Sequence, residues 1–443
     1  MSIQRTLAVA FAIAVPAHVI APRGAAQSPP YATYATNGDQ VLAALVGEAL
    51  QGNPRVRAAL LESRAAESRV PQAASLPDPA LSFTQHVVGP QTRVGPRLSN
   101  VSVTQSLPWF GTLADRRAIA ASSSAIRGES YRERRAEVVR RVKLAYYDLA
   151  YLDEALRITG EEEQLLLHYE ALARARYSQG FGQQQEVVKL QAEVTRVLNR
   201  RHELLRQRDE FEAALNVLAN RPVDARVPRV TIGERPAVSL DDERLREAGL
   251  GERPEVRAAR LRIERGEHGV SLARRRYRPG LTVGVAWGNV LGRRDDPGRE
   301  NPPPDNGRDT WSITLGASVP VFRGSYDAGV REAAARLSAA EEAYRDAVDG
   351  VALAVRSTGF RLATIEGQLA LFERALLPQA EQALRATEEA YSGGVTGVLE
   401  LLDSEEVLLD VRLGLARLRA DYMKALAEME RAVGSAFPEE EGP

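Results

Sequence analysis

Cysteine is absent from the 443 residues. That excludes a disulfide framework, Cys-ligated zinc or iron–sulfur clusters, a thiol nucleophile and a lipidated cysteine. A surplus of either charge is missing too, with 58 Lys+Arg against 59 Asp+Glu. Nucleic-acid binding normally shows as a basic excess or a basic face, and the overall balance carries no such footprint. Aromatics are scarce at 6%, although hydrophobic residues reach 44%. An apolar share weighted toward Ala and Leu favours long helices over a compact mixed core. Long apolar runs are also lacking. Beyond the first residues, nothing approaches the roughly 20 apolar residues that a membrane-spanning helix needs. If the chain enters a membrane, it does so as strands. Length alone suggests about two to three domains of ordinary size.

The N-terminus has an export pattern. Arg5 precedes an apolar run from Leu7 to Val15, Pro16 breaks it, and Gly24, Ala25 and Ala26 lead to Gln27. A short positive region, a short apolar region and small residues at a cleavage point read as a signal peptide over 1–26. The alternative is an N-terminal anchor.

The rest of the chain reads as one pattern written twice. Asn53-Pro-Arg-Val-Arg-Ala-Ala59 recurs as Arg253-Pro-Glu-Val-Arg-Ala-Ala259, and the offset continues through Leu61/Leu261, Glu67/Glu267, Val70/Val270 and Ala73/Ala273. Pro79-Ala-Leu81 matches Pro279-Gly-Leu281, and Ser106-Leu-Pro-Trp-Phe110 resembles Ser318-Val-Pro-Val-Phe322. Tyr177-Ser-Gln-Gly180 resembles Tyr391-Ser-Gly-Gly394. Several matches in one order imply a duplication. The first repeat is assigned to 27–238 and the second to 239–443, which ends in an acidic tail.

Each copy reads helix, strand, strand, very long helix, helix. In the first, a helix from about Asp39 to Ser75 stops at Leu76-Pro-Asp-Pro79, because proline cannot continue a helix. Period-two alternation then marks strands over 80–88 and 101–107, with a Gly/Pro loop from Gly89 to Asn100 between them. A helical hairpin follows over 112–219, with a proline-containing linker over 220–238. The second copy has strands over 281–288 and 311–319, joined by a loop carrying Pro302-Pro303-Pro304. A hairpin over 325–434 follows, with Pro378 as an expected kink. One face of the later strands is Leu, Val, Ile and Trp; the other is Thr, Ser, Gly and Ala. That pattern suits either a lipid-facing strand or a half-buried soluble hairpin. Trp287 and Trp311 fit an interfacial aromatic belt or a core. The fold class is mainly α with a small β part, with long antiparallel hairpins packed side by side.

These features in this order resemble the TolC-type outer-membrane efflux proteins. The resemblance rests on the export segment, the duplicated element order, Asn53-Pro54 and Arg253-Pro254 near helix starts, and the Leu76-Pro-Asp-Pro79-Ala-Leu81 approach to a strand. Leu107-Pro-Trp-Phe-Gly111, Val319-Pro-Val-Phe-Arg-Gly324 and the two Tyr-Ser-x-Gly turns complete it. The resemblance implies a homotrimer whose four strands per protomer form a twelve-strand barrel in outer-membrane lipid. Its helices form a periplasmic α-barrel, whose tips meet a periplasmic adaptor linked to an inner-membrane pump. The implied location is the outer membrane of a Gram-negative-type bacterium.

Glu186 lies six residues past Gly180, Glu400 six past Gly394, and Asp403 one turn further. The resemblance makes these carboxylates rings that constrict the pore and select cations; the plain alternative is a solvated helix face. Gly180, Phe181, Gly394 and Val395 are candidates for adaptor docking, since small residues allow close approach and the other two offer apolar contact. Tyr177 and Tyr391 are candidates for packing at the tips. Thr396 stands where the family often has an arginine latch. Arg274-Arg275-Arg276 precedes the third strand, either as a contact for lipid phosphate or as a solvated run. No enzyme emerges. His202-Glu203 begins like a zinc-protease motif, but Arg206 replaces the second histidine. The Gly-rich tips lack a P-loop lysine. Met423 and Met429 read as packing, and no cofactor or metal is implied. A passive duct is the leading reading, with a periplasmic coiled-coil adaptor or scaffold as the alternative.

Overall fold

The computed structural model describes residues 39–233, 235–236 and 241–435. The export segment and the acidic tail lie outside them. The elements run α1 (Gln40–Gly52), α2 (Pro54–Ala74), β1 (Ala80–Gln85), β2 (Gln91–Thr92), β3 (Gly95–Leu107), α3 (Thr112–Ser178) and α4 (Gln184–Leu218). Then come α5 (Asp242–Glu252), α6 (Pro254–Arg275), β4 (Gly280–Val290), α7 (Asp296–Glu300), β5 (Thr310–Ser318) and α8 (Arg323–Leu371). A π-helical turn (Phe372–Leu376) leads into α9 (Leu377–Ser392), and α10 (Val398–Val433) closes the chain.

The expected single helix over 39–75 is two helices. Asn53 is extended (φ −60°, ψ 122°), ends α1 and caps α2, its side chain accepting from the Arg55 amide. Pro54 causes the break. It disfavours helical geometry in the residue before it and then suits the first helical position, where no amide hydrogen is needed. Arg253 and Pro254 repeat the break between α5 and α6. Pro71, inside α2, does not end it; the helix stops at Ala74.

Four rods stand side by side. α2 stacks end to end on α4, where the Asn53 side-chain amide donates to the Leu218 carbonyl at 2.9 Å. α6 stacks on the end of α10, joined by the Glu255–Arg431 ion pair. α3 and the α8–α9 rod run the full length. Neighbours in the upper half are α2, α3, α6 and α8; in the lower half α4, α3 and α10 pack together, with α10 against α8 and α9. α3 alone has 67 residues, about 100 Å of helix. At Pro378 the disruption is displaced toward the N-terminus, with the π turn ending where the Leu377 amide bonds back to Phe372. The wider turn accommodates the proline ring, and the Phe372 ring packs against Gly414 of α10, where an added Cβ would sit 2.8 Å away.

The main core lies around the middle of the rods. Leu42, Leu45 and Ala49 of α1, Val227 and Val230 of the linker and Leu245 of α5 pack onto Val142, Tyr146 and Leu149 of α3 and Met423 and Met429 of α10. Polar ties fix the linker there. Asp153 accepts from Arg208 at 2.6 Å and from the Val230 amide at 2.9 Å, while Arg208 donates to the Val227 carbonyl at 3.1 Å. Lys143 and Glu430 form a buried ion pair between α3 and α10, with side chains 3% and 8% exposed.

The sheet order is β1-β3-β4-β5, all antiparallel, with β2 folded onto the end of β3. β1 stops at Gln85 rather than 88. β3 begins at Gly95 rather than 101, so part of the expected loop is strand. Pro96 is tolerated because its carbonyl is what pairs, accepting from the Leu291 amide at 2.9 Å. Gly95 (φ +121°) is required, since a Cβ there would fall 1.7 Å from the Leu291 carbonyl oxygen. β4 and β5 each lie within two residues of their expected limits.

Candidate functional site

The register of the sheet sorts its side chains into two faces. Leu81 pairs with Val103, Val103 with Val285, and Val285 with Ile313. Phe83, Val101, Trp287 and Trp311 form the next row, and Val283 pairs with Leu315. On the opposite face Ser82, Ser102, Ala286 and Ser312 align, as do Ala80, Thr104, Gly284 and Thr314. The hydroxyls of Ser82 and Ser102 bond at 2.7 Å. The apolar face is open in this chain, with Ile313 77% and Leu315 78% exposed. From Leu281 to Trp287 it is about 20 Å tall. No helix among the described residues is long and apolar enough to cross a membrane.

The strand ends away from the helices are tied across the two halves. The Gly307 amide donates to the Val94 carbonyl at 2.8 Å, and Arg93 pairs with Asp305. Trp287 and Trp311 lie toward this end and are direct register partners.

At the far end of the rods, the two helical hairpins turn by the same device. Gly180 (φ 79°) and Gly394 (φ 74°) take the left-handed conformation. The Phe181 amide reaches back to the Arg176 carbonyl, and the Val395 amide to the Ala390 carbonyl, each at 2.9 Å. This geometry leaves Phe181 77% and Val395 81% exposed.

The paired tyrosines differ. Among the described residues, Tyr177 is half exposed without a side-chain hydrogen bond, whereas Tyr391 is buried with its hydroxyl unpaired. Burial raises the Tyr391 phenol, the Glu186 charge adds to the rise, and Arg176 opposes it. Arg176 is the tip residue that sequence reasoning missed. Its guanidinium lies 4.8 Å from the Tyr391 ring centroid and donates to the Tyr391 carbonyl, joining one tip to the other. Its one visible signal was a cation in the last turn of α3. Thr396, beside the second tip, keeps a buried hydroxyl without a partner among the described residues.

Glu186 is half buried in the first turn of α4; Glu400 and Asp403 are exposed on α10. None of the three carboxylates bonds another side chain among the described residues. Glu400 and Asp403 stand three residues apart on one face of α10, while Glu186 belongs to α4.

A second acidic group sits above the tips. Glu405 and Glu162 are buried between α10 and α3, and Arg200 of α4 donates to Glu162 at 3.1 Å. Burial pushes Glu405 up to about 8, with Glu162, Glu406 and Glu193 adding and Arg200 opposing. Burial pushes Glu162 up to about 7, with Glu193 and Asp410 adding and Arg200 opposing. The folded protein therefore keeps protons that the unfolded chain releases near the ordinary carboxylate range. This stabilisation is full below that range and is lost as pH rises through 7 to 8. Glu405→Gln is expected to leave Tm unchanged at pH 4 and raise it by about 2–4 °C at pH 8.5. Thermal melts by circular dichroism check this, and an equal shift at both pH values contradicts it.

A two-faced sheet standing on long paired hairpins defines a class of membrane channel components. The family model described as outer membrane efflux protein matches residues 45–221 and 245–435. The chain belongs to that family. It is 25% identical over 179 residues to the outer membrane protein TolC of Vibrio cholerae, an alignment spanning 40% of each protein. Its fold is similar to that of the outer membrane protein VceC of Vibrio cholerae, with a TM-score of 0.74, 21% identity and coverage of 90% of this chain and 97% of that one. It is also similar to the CmeC outer membrane channel of Campylobacter jejuni, with a TM-score of 0.72, 15% identity and coverage of 91% and 88%.

Proposed function

We propose that this protein is the outer-membrane duct of a tripartite exporter, passing solutes from a periplasmic adaptor and an inner-membrane pump to the exterior. The observation that carries the reading is the sheet, apolar on one face and small and polar on the other. In water the apolar face would be an exposed patch needing a partner; against lipid it is already matched. β1 and β5 are edges, and an unpaired edge in hydrocarbon costs several kcal/mol for each unsatisfied backbone group. β1 and β5 run antiparallel, so the β5 of one protomer can pair with the β1 of the next without breaking the alternation. Three copies of four long strands would close a twelve-strand barrel. The apolar face disfavours a soluble adaptor.

In this reading the polar face lines water, and Trp287 and Trp311 sit at the outer lipid boundary. Phe181 and Val395, beside Gly180 and Gly394, form the apolar surface that an adaptor hairpin meets. Tyr391 packs beneath Arg176, with Tyr177 beside it. Glu186, Glu400 and Asp403 have no side-chain partner among the described residues, and threefold symmetry would make each a ring that attracts cations. The energy comes from the pump.

Purified protein reconstituted into a planar bilayer is expected to conduct, and its mass in detergent to be that of three chains. A monomer that stays soluble without detergent and does not conduct overturns the reading. Glu400→Gln with Asp403→Asn is expected to lower cation selectivity in the same bilayer, read as a reversal-potential shift under a KCl gradient. Unchanged selectivity removes the role of these acids.

A further inference from the structure

We propose that the upper lumen carries an arginine belt that binds multiply charged anionic solutes, carboxylates or phosphates, as they pass. The inference rests on the duct reading and names a substrate class for it. Two adjoining grooves are cut into the upper half of the rods. One, of about 670 Å³, lies across α3, α6 and α8; the other, of about 490 Å³, lies across α2, α3 and α6. Arg262 and Arg265 line both grooves, Arg276 lines the first and Arg69 the second. None of these four side chains has an ion pair or hydrogen bond among the described residues. Two further arginines on these walls are already matched, Arg127 with Glu62 at 3.5 Å and Arg336 with Glu332 at 2.6 Å. Glu332 is the one acid lining either groove among the described residues. Glycine and alanine on α6 and α8 make the hollow that the guanidinium groups surround.

In the duct reading, the grooves lie on the side of the rods that faces the lumen. A groove bounded by three consecutive helices is on the hollow side of a curved layer, because neighbouring helices diverge on the bulging side. The phase of α3 agrees. Ser123 and Ser130 line the second groove, and the same seven-residue stripe continues through Glu137 and Leu144, which line the next hollow below. Val139, Tyr146 and Asp153 form a stripe two residues out of phase, about 200° around the helix. That stripe holds α1 and the linker, through Tyr146 to Asp39 and Asp153 to the Val230 amide. Those packed segments take one side of the layer, and the arginines line the other.

Arginine suits this ligand class. Its planar donors match carboxylate and phosphate oxygens in pairs, and it stays charged throughout the working pH range. Arg262 and Arg265 stand three residues apart on one helix face, a like-charge arrangement that an anion relieves. Both grooves are of a size that holds a small molecule.

The test uses the full chain in a planar bilayer with inorganic tripolyphosphate as the probe. Tripolyphosphate is expected to reduce the wild-type conductance. Arg262→Gln with Arg265→Gln is expected to raise the half-blocking concentration about tenfold or more and to shift the reversal potential toward cation selectivity. A wild-type channel that is not blocked, or equal block in both proteins, overturns the proposal. If the wild type does not conduct, the duct reading fails by itself. Calorimetric titration of the detergent-solubilised protein with tripolyphosphate then decides the belt. Binding about tenfold weaker in the variant supports it; equal or absent binding overturns it.

Discussion

Lys143→Met is expected to destabilise the protein by about 3–5 kcal/mol, because it leaves Glu430 buried opposite an apolar side chain. The two side chains are almost wholly enclosed, and they join α3 to α10 at the level where α1, α5 and the linker pack. Burial already raises the Glu430 carboxyl, while Lys143 opposes the rise. Removing the cation raises it further. A raised carboxyl contributes stability at low pH that disappears as pH rises through its folded value. The loss should therefore be larger at pH 8 than at pH 5. Thermal melts in detergent at both pH values measure it, and Glu430→Leu in the same chain is expected to recover most of the lost stability. A loss independent of pH, or one that the second substitution leaves in place, contradicts the account.

The second large effect lies in the sheet. Ile313→Lys places a charge near the middle of the apolar face, where a lipid-exposed cation costs about 2–4 kcal/mol. Its neighbour Ser312 points to the other face, and Ser312→Lys is expected to cost far less because water would receive the ammonium. Urea unfolding from liposomes compares the two. Equal losses would mean that the two faces meet similar surroundings, which would end the lipid-facing assignment.

Much of this architecture was legible in the residues. Proline and glycine marked the ends of elements, as at Pro79 and Gly180, because each restricts or frees the backbone locally. Period-two alternation showed the strands, since neighbouring strand residues point to opposite faces. The errors arose where distant segments set the outcome. Gly95 to Asn100 looked like loop, and it is strand because β4 lies beside it to accept pairing. Arg176 carried no pattern of its own; its role comes from Tyr391, 215 residues away in the chain. Glu162 and Glu405 were likewise ordinary charges on polar helices until the packed helices enclosed them.

The sequence alone determined the types and order of the main strands and long hairpins, the glycine turns between the hairpin helices, and the absence of any cysteine chemistry. These follow from backbone restrictions and from residue types, which act over a few positions. The tertiary structure decided which faces meet. It stacked α2 on α4 and α6 on α10, aligned the strand rows into one apolar and one polar face, and left four arginine side chains of the upper grooves without a partner among the described residues. Those outcomes depend on long-range packing and burial, where the free energy of a side chain is set by neighbours that its own sequence position does not specify.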